Sequence, residues 1–471
     1  MELRSGRRLR SAEHLGPGGE DRIGALPDDL LILVLARLGC VRAAVRTAVL
    51  ARRWRGLWAR LRQVFFRDVP LPLLKGALKR IPAPPPAVSF LEICIPRARG
   101  RRTHRHAIRH RLHILAAIIR SLLRAAARLQ PEELVFVLPS DFICKYSPMF
   151  FLHLPADVNF LALHTLSLSG CIVALDSLLS RCPRLRVLRL KFSDHGFHED
   201  LKTFMSAHSV SLQELFVEAE NAYTDTVDLV APQLKQLTVS LKAYGKLNVS
   251  VLAPSLEKLS WQWSYPFDVI KFGLWRIAKL RLQTAESPRD LPSLHIHARV
   301  TSSVVHGEVE NSMQEIEKHL IAKFSILELH LKTKGHVFGA LVFHLLGMNR
   351  VFTRTRRLKV FLHRSMLKQE CPLDCACDQP DWRSQTTSLT ALEEVEIDGF
   401  EGYDHEIDFL KLIFKCAPML KRMVVGLSHE VSSRDDGCTQ IHNVFRDYSS
   451  VECYLNLRSG LVHGGDDCPS T

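Results

Sequence analysis

No run of about eighteen apolar residues occurs anywhere in the chain, so no membrane-spanning helix is expected. The most apolar helical stretch, His113 to Leu129, is broken by Arg120, Arg124 and Arg128. The opening residues, MELRSGRRLR, lack the apolar centre of a secretory leader. Residence in the cytosol or nucleus is therefore expected, with no membrane partner and with the 12 cysteines as reduced thiols. Also missing are GxGxxG and GxxxxGKS/T phosphate loops, HExxH, and any nucleophile-elbow pattern. Their absence predicts a chain without cofactor or catalytic site, one that works by binding.

Acidic residues are scarce at one end. Residues 1–130 hold 27 Lys/Arg against 8 Asp/Glu, whereas the remainder holds 36 against 41. Such asymmetry fits contact with nucleic acid or an acidic surface, or arginine keeping a very apolar segment soluble; the second reading is favoured. The densest basic stretch, Arg97 to Arg111, has no interleaved aromatics for base stacking and no helix-turn-helix or zinc-finger context, so nucleic acid is not the expected partner. Cys371, Cys375 and Cys377, with His363 upstream, lack the paired CxxC spacing of structural zinc. A surface loop over 371–385 is expected, without metal.

What is present begins with a compact pattern from Leu26 to Leu61. Pro27 suits a helix start, and Asp28 and Asp29 complement the positive end of the helix dipole. Leu30 to Leu35 are all apolar, more than a single buried stripe requires. A second short helix fits Val41 to Val49. The spacing of Leu50, Trp54, Leu57, Trp58 and Leu61 predicts a third. Three helices in about forty residues are marginal as an independent core, so this hook is expected to complete its packing against a partner.

Further on, one unit recurs: apolar, two variable residues, apolar, one variable, apolar. It runs through Leu163-Leu166-Leu168, Leu185-Leu188-Leu190, Leu212-Leu215-Val217, Leu234-Leu237-Val239, Leu256-Leu259-Trp261 and Ile277-Leu280-Leu282, at steps of 22, 27, 22, 22 and 21. Weaker copies follow near 326, 392 and 420. Periods of this length read as leucine-rich repeats, whose strands bury one face by stacking on their neighbours. Between 283 and 324 the repeat is irregular. Helices are expected over Val337 to Gly347 and His405 to Lys415, the second capped by Asp404.

Two stretches carry a family resemblance. LPDDLL followed by RTAVLARRWRGLW resembles the F-box, although Ala51 stands where plant versions usually have Ser and Leu38-Gly39-Cys40 replaces the usual Leu-Pro. LTALEEVEIDGF and DHEIDFLKLIFKCAPMLKRMVV resemble the FBD region. Together with the repeats, the chain is similar to the plant F-box/leucine-rich-repeat/FBD family. The resemblance implies an α/β fold in which a three-helix F-box is followed by a curved parallel-sheet solenoid with an FBD-like strand-helix-strand end. The expected divisions are a disordered basic arm at 1–20, the F-box at 21–62, repeats at 63–370, the cysteine loop at 371–385, the FBD-like end at 386–458 and a disordered tail at 459–471. It also implies a non-catalytic subunit of a cullin–RING ubiquitin ligase. Leu26, Pro27, Leu30, Leu31, Val34, Leu35, Leu38, Trp54 and Trp58 would contact a Skp-type adaptor, with a cullin beyond it, and the repeats would hold a protein target. The alternative is a basic repeat scaffold that binds nucleic acid or protein without ubiquitin transfer.

Within each repeat strand the residues between the inward leucines face outward. Stacking would range them in rows on a concave face. Arg189, Phe216 and Arg281 are the expected anchors there, because aromatic and Arg side chains tend to dominate interfaces.

Overall fold

The computed structural model describes residues 26–82, 88–96, 105–139, 154–193, 205–264, 270–272, 275–286, 292–301, 324–332, 337–348, 353–363, 382–384, 386–428, 436–457 and 460–463, with the single positions 23, 152 and 351. The basic arm and residues 371–381 of the expected cysteine loop lie outside these residues, as do 302–323 of the irregular stretch. At the loop's far end Trp382 is buried in the core, so that part is not the surface loop expected.

Pro27 stands at the cap of helix α1 (Asp28–Ala36), and its carbonyl accepts from the amides of Leu30 and Leu31, both at 3.1 Å. Asp28 does more than complement the dipole. Its carboxylate takes Arg53 Nε at 2.9 Å and Arg60 Nη1 at 3.4 Å, tying the helix start to the end of the hook. Helix α2 (Val41–Arg46) follows. The expected third helix is absent. Its place is taken by short 3-10 turns at Thr47–Val49, Arg52–Trp54 and Leu57–Arg60. Ala51 and Arg55 are extended and Gly56 is left-handed at φ 86°, so the chain bends between the tryptophans. Trp54, Leu57, Trp58 and Leu61 still point inward, since a three-residue turn keeps them on one side.

A helix follows in a stretch punctuated by proline. In α3 (Leu71–Arg80) Pro70 caps and Pro72 sits in the first turn, the one part of a helix that needs no proline N–H. Helix α4 (Arg105–Leu129) leads to the repeats.

Strands β1 (Gln63–Phe66), β2 (Phe90–Cys94), β3 (Glu133–Val137), β4 (Thr165–Ser169) and β5 (Val187–Ser193) pair in parallel, one after the next. The short β6 (Met205–His208) lies beside the far half of β7 (Glu214–Val230), whose near half pairs with β5. β8 (Gln236–Leu252) and β9 (Lys258–Ser264) continue the parallel run. The regular step then fails. β10 (Ile270–Phe272) pairs with β11 (Trp275–Glu286), and β11 runs antiparallel to both β9 and β12 (Pro292–Thr301). The sixth copy of the repeat is thus a reversed strand. Parallel pairing resumes through β13 (Ile326–Lys332), β14 (Arg357–Leu362), β15 (Glu394–Phe400), β16 (Arg422–Leu427) and β17 (Glu452–Leu457). β18 (Gly460–His463) closes the edge antiparallel to β17, inside the tail expected to lack structure. Among the described residues all eighteen strands form one parallel-rich sheet, consistent with a leucine-rich-repeat-like fold.

The inward residues of the first five repeats are buried, Trp261 among them, except Leu256, which is half-buried. Their face joins helices α5 (Leu175–Leu179), α6 (Phe338–Leu346), α7 (Asp404–Cys416) and α8 (Asp436–Asp447) in one apolar core that runs from Leu31 in the hook to Leu455. Asp404 is the first helical residue of α7 rather than its cap, which is Tyr403. Among the described residues no helix is long and apolar enough to cross a membrane.

Where the hook meets the sheet, Arg67 Nε donates to Glu92 Oε1 at 2.8 Å. That bond, with a further one from Cys94, holds the nearly buried Glu92 carboxyl below the usual carboxylate range against the opposing effect of burial. A depressed folded-state pKa contributes stability above the unfolded-state value, and that contribution is lost as the pH falls through the folded value. Arg67→Met is expected to cost about 1–2 kcal/mol at neutral pH, less than a fully buried pair because Arg67 is half exposed. Its acid unfolding should begin at higher pH than in the parent. Urea melts between pH 3 and 7 check this; parallel stability profiles for the two proteins would refute it.

Candidate docking surfaces

The hook sorts its apolar residues into two sets. Leu31, Leu35, Trp54 and Trp58 are buried in the chain's own core, and Leu26 is half-buried against it, so these side chains hold up the hook rather than face outward. Pro27 is exposed. Leu30, Val34 and Leu38 are exposed as well, and they are joined by four residues not among the expected adaptor contacts. Leu33 is 61% exposed, Val45 41%, Val49 87% and Leu50 69%. Leu50 was expected on the inward face of a third helix; the 3-10 turn leaves it outside. Exposed apolar residues scattered singly are ordinary, but this many within one short hook is the pattern of a contact surface. The same elements expose Arg37, Arg42, Arg46 and Arg52, which favours an acidic counterpart.

The second surface is the open face of the sheet. Strand register carries one row through Ser169, Lys191, Glu218, Ser240, Gln262, Arg281, His297, His330, Phe361 and Asp398. Beside it runs a row through Ser167, Arg189, Phe216, Thr238, Ser260, Gln283, His295, Glu328, Lys359 and Glu396. Two of the three expected anchors come together. Arg189 lies 4.9 Å above the Phe216 ring and its Nη2 donates to Glu214 Oε2 at 3.3 Å, while Lys191 Nζ donates to Glu218 Oε2 at 2.8 Å. Arg281 is four strands from Arg189 and three from Phe216, about 14–19 Å at ordinary strand spacing, so it would meet a different part of the same target.

Arg281 instead lines a cavity of about 340 Å³ with Gln262, His297, His330, Lys332 and His363. The sequence pattern alone does not show this grouping. His330 is its centre. The His330 ring stacks on His297 at 4.2 Å between centroids, on Phe361 at 4.8 Å and on His363 at 5.4 Å. Its Nε2 lies 2.6 Å from Glu328 Oε1 and its Nδ1 lies 3.2 Å from His363 Nε2. His295 Nδ1 meets the same Glu328 oxygen at 3.2 Å, and its Nε2 lies 3.1 Å from Ser293 Oγ. Burial, reinforced by His330 and Arg281, pushes His297 down to about 4. Burial likewise lowers His295 and His363. The cluster was legible in principle. His295 and His297 alternate on β12, His330 lies on β13 and His363 just past the end of β14, and only stacking of the strands brings them together.

A buried carboxylate completes the far end. Glu406, in the first turn of α7, accepts through Oε2 from the backbone amides of Glu401, Gly402 and Tyr403 at 2.8, 2.7 and 3.3 Å.

Comparison with known proteins gives three matches. Residues 388–425 match the FBD family model. An F-box/LRR-repeat protein of Arabidopsis thaliana is 30% identical over 251 residues, which is half the length of each chain. A putative FBD-associated F-box protein of the same plant is 24% identical over 425 residues, 86% of this chain and 97% of that one.

Proposed function

We propose that this chain, which belongs with the plant F-box/leucine-rich-repeat/FBD proteins, is the substrate-recognition subunit of an SCF-type cullin–RING ubiquitin ligase. The observation that supports the reading furthest is the apolar surface left open on the hook around Leu30, Leu33, Val34 and Leu38. A Skp-type adaptor covers that surface and links the chain to a cullin. The open face of the sheet holds a protein target. The chain performs no chemistry. It raises the effective concentration of a target lysine at the ubiquitin-charged enzyme, a gain that comes from tethering alone.

Mixing the full chain with a Skp-type adaptor tests the first half. A stoichiometric complex that elutes as one species is expected, and separate elution refutes the docking role. The second half concerns the rows on the sheet. Arg189→Glu together with Arg281→Glu should reduce capture of a target by about 100-fold, since Arg anchors at the centre of an interface each contribute about 1–2 kcal/mol or more. Both side chains are partly solvent-exposed, so adaptor binding and thermal stability should stay as in the parent. Undiminished target capture would move the site to the edge loops or the FBD end.

A further inference from the structure

The histidine cluster on β12 and β13 has no role in adaptor docking. We propose that His295, His297 and His330 form a binding site for a divalent transition-metal ion, with zinc the best match, and that Glu328 supplies the fourth donor.

The donor set is the first argument. Imidazole nitrogens with one carboxylate suit zinc and its first-row neighbours and do not suit calcium or magnesium. Placement is the second. His295 and His297 are two apart on one strand and therefore share a face, while His297 is paired directly with His330 on the next strand. Donor atoms of the three lie within 4.8 Å of one another. Ligands about 2.0–2.1 Å from a tetrahedral zinc lie roughly 3.4 Å apart, so closure requires shifts of about 1 Å. His297, now stacked flat on His330, makes the larger movement by turning about χ2, a soft torsion, so that its ring plane includes the ion, while His295 and His330 keep their present ring angles and the strands hold their backbones fixed.

The third argument is the outer layer. Metal-bound histidines usually have the other ring nitrogen held by a hydrogen-bonding partner, which fixes the tautomer and ring angle. Ser293 Oγ stands at His295 Nε2, leaving Nδ1 for the metal, and His363 Nε2 stands at His330 Nδ1, leaving Nε2. Both freed nitrogens already meet at one oxygen of Glu328, at 3.2 and 2.6 Å. A cation entering there replaces protons shared between imidazole and carboxylate. Arg281 and Lys332 line the same cavity and oppose the added charge, so the site binds more weakly than a closed four-ligand structural centre. The cavity also gives the ion a path from solvent.

The test uses the full chain carrying Cys371→Ser, Cys375→Ser and Cys377→Ser, which removes the competing thiols of the loop. Zinc is titrated against a chromophoric chelator in metal-free buffer, and cobalt is then substituted for its visible spectrum. One equivalent of metal is expected, with cobalt bands of a four-coordinate nitrogen and oxygen site and no thiolate charge-transfer band. His297→Gln should weaken binding by at least about 100-fold, and Ser293→Ala by about 10–100-fold through the lost orientation of His295. Circular dichroism verifies that each variant is folded, and His295→Gln replaces any that is not. Absence of a bound equivalent overturns the proposal, and so does binding that survives the histidine substitutions within tenfold.

Discussion

Replacing Leu30 and Val34 with Asp is expected to abolish adaptor capture, a loss of at least about 1,000-fold in affinity, while the rest of the molecule stays folded. Both side chains lie on α1 and both are 44% exposed in the free chain. Exposed substitutions of this kind typically change stability by no more than about 0.5 kcal/mol. Asp at position 30 falls in the first turn, where its charge suits the helix dipole. In the complex the same two positions would bury unpaired carboxylates at the centre of an apolar contact. Central hot spots cost about 2–4 kcal/mol each on truncation alone, and two of them exceed three decades of affinity. The choice of residues matters. Leu31 is next in sequence but wholly buried, so Leu31→Asp would unfold the hook and say nothing of docking. Isothermal titration of the full-length double variant with a Skp-type adaptor, beside its melting curve, provides the check. Retained affinity with an unchanged melt would dismiss this surface as the docking site.

Glu406→Ala should destabilise the chain by about 3–5 kcal/mol. The carboxylate is fully buried and gathers three successive backbone amides at the entrance to α7. A lost acceptor costs about 1–3 kcal/mol for each buried donor left unsatisfied, and water reaches part of this turn, which limits the sum. The turn cannot relax to form other bonds easily. Gly402 has φ 83°, and a Cβ on it would meet Gly437 Cα at 2.6 Å. Glu406→Gln keeps a neutral acceptor and should lose about half as much, because hydrogen bonds to a charged group are roughly twice as strong. Thermal melts of the three proteins decide it. Equal stability of parent and Glu406→Ala would mean that solvent satisfies all three amides.

Period-two alternation made most of the sheet legible, since a strand with leucine on one face has one way to bury it. The direction of β11 was not legible, and for a physical reason. Alternation reads the same in both directions along the chain, so Ile277-Leu280-Leu282 fits a parallel and an antiparallel strand equally. Pro70 and Pro72 concealed α3, because proline marks a helix start as readily as a link. In the hook, the order of Pro, acid pair and tryptophans marked a helical segment but did not separate inward from outward. Leu31, Leu35, Trp54 and Trp58 went in, while Leu33, Val45, Val49 and Leu50 stayed out. That division follows from two short helices giving way to 3-10 turns after Arg46, a change of period that helical spacing does not contain. The histidine cluster is assembled by register between strands, so it became visible only once the repeats were stacked.

The reversed strand bears on how the chain folds. Parallel neighbours in the repeats meet across crossovers whose starting residues are some twenty positions apart, and each must close a sizeable loop before any contact forms. β10, β11 and β12 lie within residues 270–301 and pair across separations of only two and five residues in the chain. Loop-closure entropy grows with length, and local contacts form fastest. The middle of this sheet is therefore suited to nucleate first, offering a ready edge on each side. Repeats then add outward toward the hook in one direction and toward the FBD end in the other, so that neither end of the chain has to initiate the fold.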